Sequence, residues 1–116
     1  MLMRSGVEFF IPDIVDYELR RELLRAGKHE SVQRLDELRS RLEVLPVTFD
    51  VLLRAAELCA HARQTGQPTA AKQRIDTDMI LVAQAESCPI RPATIATTNV
   101  GHLARFFPAA EWTAIA

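Results

Sequence analysis

The 116-residue chain predicts an α/β layered fold built on a short, mostly parallel sheet. Three observations carry that expectation. Short runs rich in β-branched and aromatic residues alternate with longer segments whose apolar residues recur at helical spacing. Pro12 and Pro46 mark the ends of two of the short runs, where a ladder hydrogen bond is least needed. Gly27 and Gly66 follow two of the helical patterns, placed as stops.

Val7-Glu8-Phe9-Phe10-Ile11 reads as the first strand, closed by Pro12. Pro12 or Asp13 then opens a helix that runs to about Ala26, because Ile14, Val15, Leu19, Leu23 and Leu24 keep helical spacing. A second helix follows Ser31, with Val32, Leu35, Leu38 and Leu42 on one stripe and charged residues on the other faces. Val44-Leu45-Pro46-Val47 is a second short strand, and its proline argues for an edge position. Thr48 or Asp50 can cap a third helix that runs to about Thr65, packed through Ala55, Ala56, Leu58, Cys59 and Ala62. Gln67 to Arg74 is polar, contains a proline and lacks periodicity, so it reads as a connection. Asp76 then reads as the cap of a fourth helix, with Asp78 in its first turn. From Met79 to Ala85 that helix is apolar almost all round, which predicts burial. Ala93 to Thr97 reads as a third strand, Gly101 to Phe107 as a helical turn, and Glu111 to Ile115 as a last short strand.

Length and composition fit one domain over residues 1–116, with 48% hydrophobic and 25% charged residues. A net charge of −1 announces no global basic field for nucleic acid, although local binding around metal ions needs none. Cys59 and Cys88 form neither a CxxC pair nor a metal-ligand spacing. No apolar run approaches a membrane span and no secretory signal opens the chain, so a cytoplasmic protein with reduced thiols is expected. Walker A, GxGxxG and GxSxG patterns are absent. His29, His61 and His102 lack ligand spacing. Half of the basic residues fall in the first helical hairpin, interleaved with acids, so a solvated face is the plain reading there.

Three oxygen donors could serve a hard metal ion. Glu18 sits one to two turns into the first helix, beyond a strand end. Asp78 sits at the mouth of the apolar helix, and Asn99 follows the end of the third strand. Strand ends are where ligands gather in such sheets, and Mg²⁺ or Mn²⁺ takes oxygen ligands while keeping several waters. Each residue also has a structural reading. Glu18 can pair with Arg21 or Arg25, Asp76 and Asp78 suit a helix start, and Asn99 suits a turn. Asp76 and Asp78 are two residues apart, so at most one is expected to face a common pocket.

Taken together, three segments resemble the PIN domain, a family of metal-dependent ribonucleases that includes VapC-like toxins. They are Ile11-Pro12-Asp13-Ile14-Val15-Asp16-Tyr17-Glu18-Leu19, Asp76-Thr77-Asp78-Met79-Ile80-Leu81-Val82-Ala83 and Ile95-Ala96-Thr97-Thr98-Asn99-Val100-Gly101-His102-Leu103. The resemblance implies a three-layer α/β fold in which Glu18, Asp78 and Asn99 are the catalytic positions. It implies Glu18 and Asp78 as ligands of Mg²⁺ or Mn²⁺, with Asp76 as an accessory ligand. It also implies an RNA substrate and an antitoxin partner, with a homodimer as a further possibility. The family's first strand, central in its sheet and ending in an Asp, has no counterpart before Val7. From this the expectation is either a start upstream of Met1 or an eroded relative, and in both cases an impaired nuclease. The alternative is an inactive PIN-like module that holds an antitoxin helix or a second copy.

Overall fold

The computed structural model describes residues 8–64, 72–97 and 100–111. The chain divides into two compact units, Met1–Pro46 and Val47–Ala116.

The first unit is a strand–helix–helix–strand arrangement: β1 (Phe10–Pro12), α1 (Asp13–Arg25), α2 (His29–Arg41) and β2 (Glu43–Leu45). The two strands pair in parallel, with Phe10 opposite Glu43 and Pro12 opposite Leu45. Pro12 is therefore both the last strand residue and the cap position of α1, at φ −69° and ψ 137°. A proline ring holds φ near that value, and a helix start needs no N–H there. Gly27 ends α1 as the sequence predicts. It sits at φ +69°, while the Lys28 N–H donates to the Leu23 carbonyl at 2.9 Å and the Gly27 N–H to Leu24 at 3.1 Å. That pair of bonds is a Schellman closure, which favours glycine at the left-handed position. α2 begins at His29, three residues earlier than the sequence suggests. The Val32 N–H already donates to the Lys28 carbonyl at 3.1 Å, so Ser31 lies inside the helix rather than capping it. Among the described residues of this unit, Ile11, Leu35 and Leu45 are the buried apolar ones.

The second unit contains α3 (Phe49–Gln64), α4 (Lys72–Glu86), β3 (Ile95–Ala96), α5 (Val100–Leu103) and β4 (Ala109–Ala110). Thr48 caps α3: its hydroxyl accepts the Val51 N–H at 3.1 Å and its carbonyl the Leu52 N–H at 3.1 Å. Val51, Ala55 and Leu58 on α3 pack with Met79, Val82, Ala83 and Ala85 on α4, and Ile95 and Leu103 complete the cluster. Met79 and Val82 lose all solvent contact, as the apolar run at Met79–Ala85 predicts. β3 and β4 are parallel, with Ile95 opposite Ala109. Ile95 and Thr97 donate to the carbonyls of Pro108 and Ala110, so a strand forms before Glu111; the strand expected over Glu111–Ile115 falls, Glu111 apart, outside the described residues. Residues 112–116 lie outside the described residues.

The α/β class and the parallel strands agree with the sequence. The four described strands pair two by two, β1 with β2 and β3 with β4.

Candidate active site

Glu18 is the sixth residue of α1 and is half-buried. Sequence spacing offers it Arg21 and Arg25, but both of these arginines reach Glu22. Arg25 Nη2 lies 2.6 Å from the Glu22 carboxylate and Arg21 Nε lies 3.7 Å from it. Arg21 also lies over the Tyr17 ring, 5.5 Å from its centroid, a cation–π placement.

One turn around the same helix, sequence reasoning missed a second carboxylate. Asp16 is 7% exposed, the buried acid of α1. Arg20 grips it with both forks, Nε to Oδ1 at 2.9 Å and Nη2 to Oδ2 at 3.2 Å. The third Arg20 nitrogen donates to Asp36 on α2 at 2.8 Å. Arg39 on α2 reaches back to Asp13 at 2.8 Å and to Asp16 at 3.5 Å. Five charged side chains thereby tie α1 to α2. The Arg20 hydrogen bond holds the Asp16 carboxyl below its ordinary value of 3.8, against burial, which pushes the other way. A signal for this was available: Asp16 and Arg20 stand four apart, the spacing that aligns two side chains on a helix. The hairpin arginines read as a solvated face are in part an internal clamp.

The second unit places Asp76 and Asp78 differently from the sequence expectation. α4 starts no later than Lys72, so Asp76 is not a cap and Asp78 is not in the first turn. Lys72, Gln73, Arg74 and Ile75 are competent helix formers, and no glycine or proline interrupts them. The polar connection therefore does not extend to Arg74; its residues 67–71 lie outside the described residues. Asp76 is exposed, and its Oδ1 accepts the Cys59 thiol of α3 at 3.5 Å. Asp78 is half-buried with its Oδ2 closed off from solvent. The two-residue spacing thus sends the acids to different sides of α4, as expected. Asn99 lies outside the described residues.

In kind, these donors suit Mg²⁺ or Mn²⁺, since all are hard oxygens. Among the described residues no group of three or more His, Cys, Asp or Glu gathers that could hold a metal, and Asn99 is not one of those residues. Nor is any helix among those residues long and apolar enough to cross a membrane.

The PIN domain family matches residues 2–90. The chain belongs to the PIN domain family. No curated protein matches it. Among solved structures, this PIN domain is similar to the crystal structure of VapBC2 from Rickettsia felis bound to a DNA fragment from their promoter. That likeness has a TM-score of 0.69 at 23% identity and covers 96% of this chain and 80% of that chain. At such identity it speaks for the fold.

Proposed function

We propose that this PIN domain is a metal-dependent ribonuclease of the toxin–antitoxin type, working in the cytoplasm. The family match over residues 2–90 carries the reading, since it spans both helices that bear Glu18 and Asp78. Glu18, Asp78 and Asn99 are the catalytic positions. Glu18 and Asp78 are ligands of Mg²⁺ or Mn²⁺, and Asp76 is an accessory. A bound divalent ion would supply an acidified water and charge stabilisation at the leaving oxygen. RNA is the substrate, and an antitoxin protein is the partner. The likeness to VapBC2 supports that choice of partner.

A second reading has its own support. Three carboxylates do not gather among the described residues, whereas an apolar groove does form between α1 and α2. Leu19, Leu23, Leu35 and Leu38 line it with Ser31 and Arg34, around a volume of about 290 Å³. An inactive module would use such a groove to hold a partner helix by its apolar face.

RNA cleavage separates the two. The purified chain is incubated with RNA and Mg²⁺, Mn²⁺ or chelator, beside Glu18→Gln and Asp78→Asn. Cleavage that needs the metal and falls at least about tenfold in either variant, the least loss expected for a disturbed metal site, supports the nuclease. Folded protein with no metal-dependent cleavage supports the binding module. Robust cleavage indifferent to both substitutions removes these acids from the reaction.

A further inference from the structure

The clamp between α1 and α2 divides the basic residues of the first unit. Arg20 and Arg39 are engaged by Asp16, Asp36 and Asp13. Arg21, Arg25 and Lys28 stay exposed. Arg21 and Arg25 follow Tyr17 at steps of four along α1, a spacing that keeps side chains on one side of a helix. Lys28 stands just past the end of that helix. Tyr17 is 58% exposed, so its ring fills no core. Arg21 lies over the ring at 5.5 Å from its centroid. Its contact with Glu22, at 3.7 Å, is beyond hydrogen-bond reach, so that pair leaves the guanidinium's donors open.

We infer that this side of α1 is a track for single-stranded RNA, with Tyr17 as a stacking platform for one base and Arg21, Arg25 and Lys28 as partners of the backbone phosphates. The inference rests on the nuclease reading for its substrate and adds where on α1 the strand lies. Arg21 is one turn beyond both Tyr17 and Glu18, at spacings of four and three. A base on the ring and a phosphate at Arg21 would therefore bring the strand past the proposed metal ligand. From Tyr17 to Arg25 the helix advances about 12 Å, and Lys28 extends the row of cations away from Glu18.

The chemistry decides the occupant. Every base has a π-face, and stacking on an exposed aromatic ring tolerates any sequence. A duplex keeps those faces within its own stack, so a ring flanked by cations fits a single strand. An acidic protein surface would meet the cations but would have no use for the ring. Glu22 offsets one of the three cations, chiefly Arg25, whose Nη2 lies 2.6 Å from it. The whole chain carries a net charge of −1, so attraction for phosphate has to be local, as it is on a short track.

Fluorescence anisotropy of the whole chain with an end-labelled single-stranded RNA, in excess chelator and over a salt series, is the test. Chelator keeps the RNA intact and reads binding apart from cleavage. Tyr17→Ala should weaken binding at least about fivefold, the lower bound for one stacked base, without changing the salt dependence. Tyr17→Phe keeps the ring and should bind like the parent. Arg21→Gln and Lys28→Gln should each lower the slope of log K against log salt by about 0.7, the value for one phosphate contact on a single strand. Arg105→Gln, in the second unit, removes the same charge and should move neither quantity. Duplex RNA should be indifferent to Tyr17→Ala. All the substituted side chains are exposed, so far-ultraviolet circular dichroism of the variants should match the parent. No binding of RNA, Tyr17→Ala and Arg21→Gln binding no more weakly than Arg105→Gln, or a duplex as sensitive to Tyr17→Ala as the single strand would each overturn the inference. So would displacement of the RNA by polyglutamate as readily as by unlabelled RNA, which would make this side of α1 a dock for an acidic protein. The nuclease reading fails differently. RNA held through Tyr17 and Arg21 yet uncleaved with Mg²⁺ or Mn²⁺ supports the track and counts against the nuclease. Metal-dependent cleavage by a chain whose Tyr17→Ala and Arg21→Gln variants bind like the parent keeps the nuclease and overturns the track.

Discussion

Removing the Asp16 carboxylate would not leave its arginines stranded. Arg20 would keep Asp36 at 2.8 Å and Arg39 would keep Asp13 at 2.8 Å. Asp16→Ala should therefore cost about 1–3 kcal/mol, the range for a buried hydrogen-bonded group. The larger loss for a buried ion pair broken outright does not apply. The pH dependence follows from the direction of the shift. Asp16 binds its proton less readily in the folded chain than at its ordinary 3.8. Its stabilisation is therefore present above that value and lost as pH falls below it toward the native value. Urea titrations of parent and Asp16→Ala should differ by a constant amount from neutral pH down to about 5, and the gap should shrink below 3.8. A gap that grows on acidification would refute the clamp. The spacing of Asp16 and Arg20 hinted at this pair, but its burial was not legible in the sequence for a plain reason. An Asp among seven Arg and Lys of a helical hairpin looks solvated until the facing helix is known. Glu18 and Asp78, by contrast, stood out because each sits in a segment that resembles the family's, not because their own spacing singled them out.

At the scale of elements, caps were legible where a side chain or a glycine does the capping. Gly27 closes α1 at φ +69°, and Thr48 opens α3 by accepting the Val51 N–H. Thr48→Ala should cost about 1 kcal/mol, which for a chain of this size lowers the thermal midpoint by about 4 °C. Thr48→Ser should restore most of that loss, since the accepting oxygen returns. A Ser variant as unstable as the Ala variant would place the effect in the threonine methyl rather than in the cap. Boundaries without such a device were not legible. α2 starts at His29, and its cap position, Lys28, makes no side-chain cap bond. α4 includes Lys72 to Ile75, where ordinary helix formers carry the pattern upstream of two aspartates that look like a start. In the first place, and along Lys72 to Ile75 in the second, propensity and packing carry the helix without leaving a single-residue mark.

The whole molecule stores its stability unevenly. α1 buries Asp16 and α2 buries Leu35, so the first unit holds its helices largely by the arginine–aspartate clamp and a few apolar contacts. α3 and α4 of the second unit share a cluster of buried residues that includes Met79 and Val82, both without solvent contact. Arg54 adds a clamp from α3 to Glu86 on α4 at 2.7 Å, but that pair is partly exposed and worth at most about 1 kcal/mol. Apolar burial therefore decides the ranking. Segments with few buried apolar contacts open at lower free energy than core segments. Native-state hydrogen exchange should accordingly show α1 and α2 amides exchanging faster than those of α3 and α4. Raised salt should widen the difference, because it screens the half-exposed ion pairs of the first unit and leaves the apolar packing of the second intact. Equal protection in the two helix pairs, or a difference that narrows with salt, would mean that the first unit draws its stability from something other than its clamp and its few buried side chains. This bears on the proposed function. Glu18 rides on α1, so the proposed catalytic position in the first unit would belong to the helix pair that opens more readily, while Asp78, the other proposed position, rides on the helix that buries Met79 and Val82.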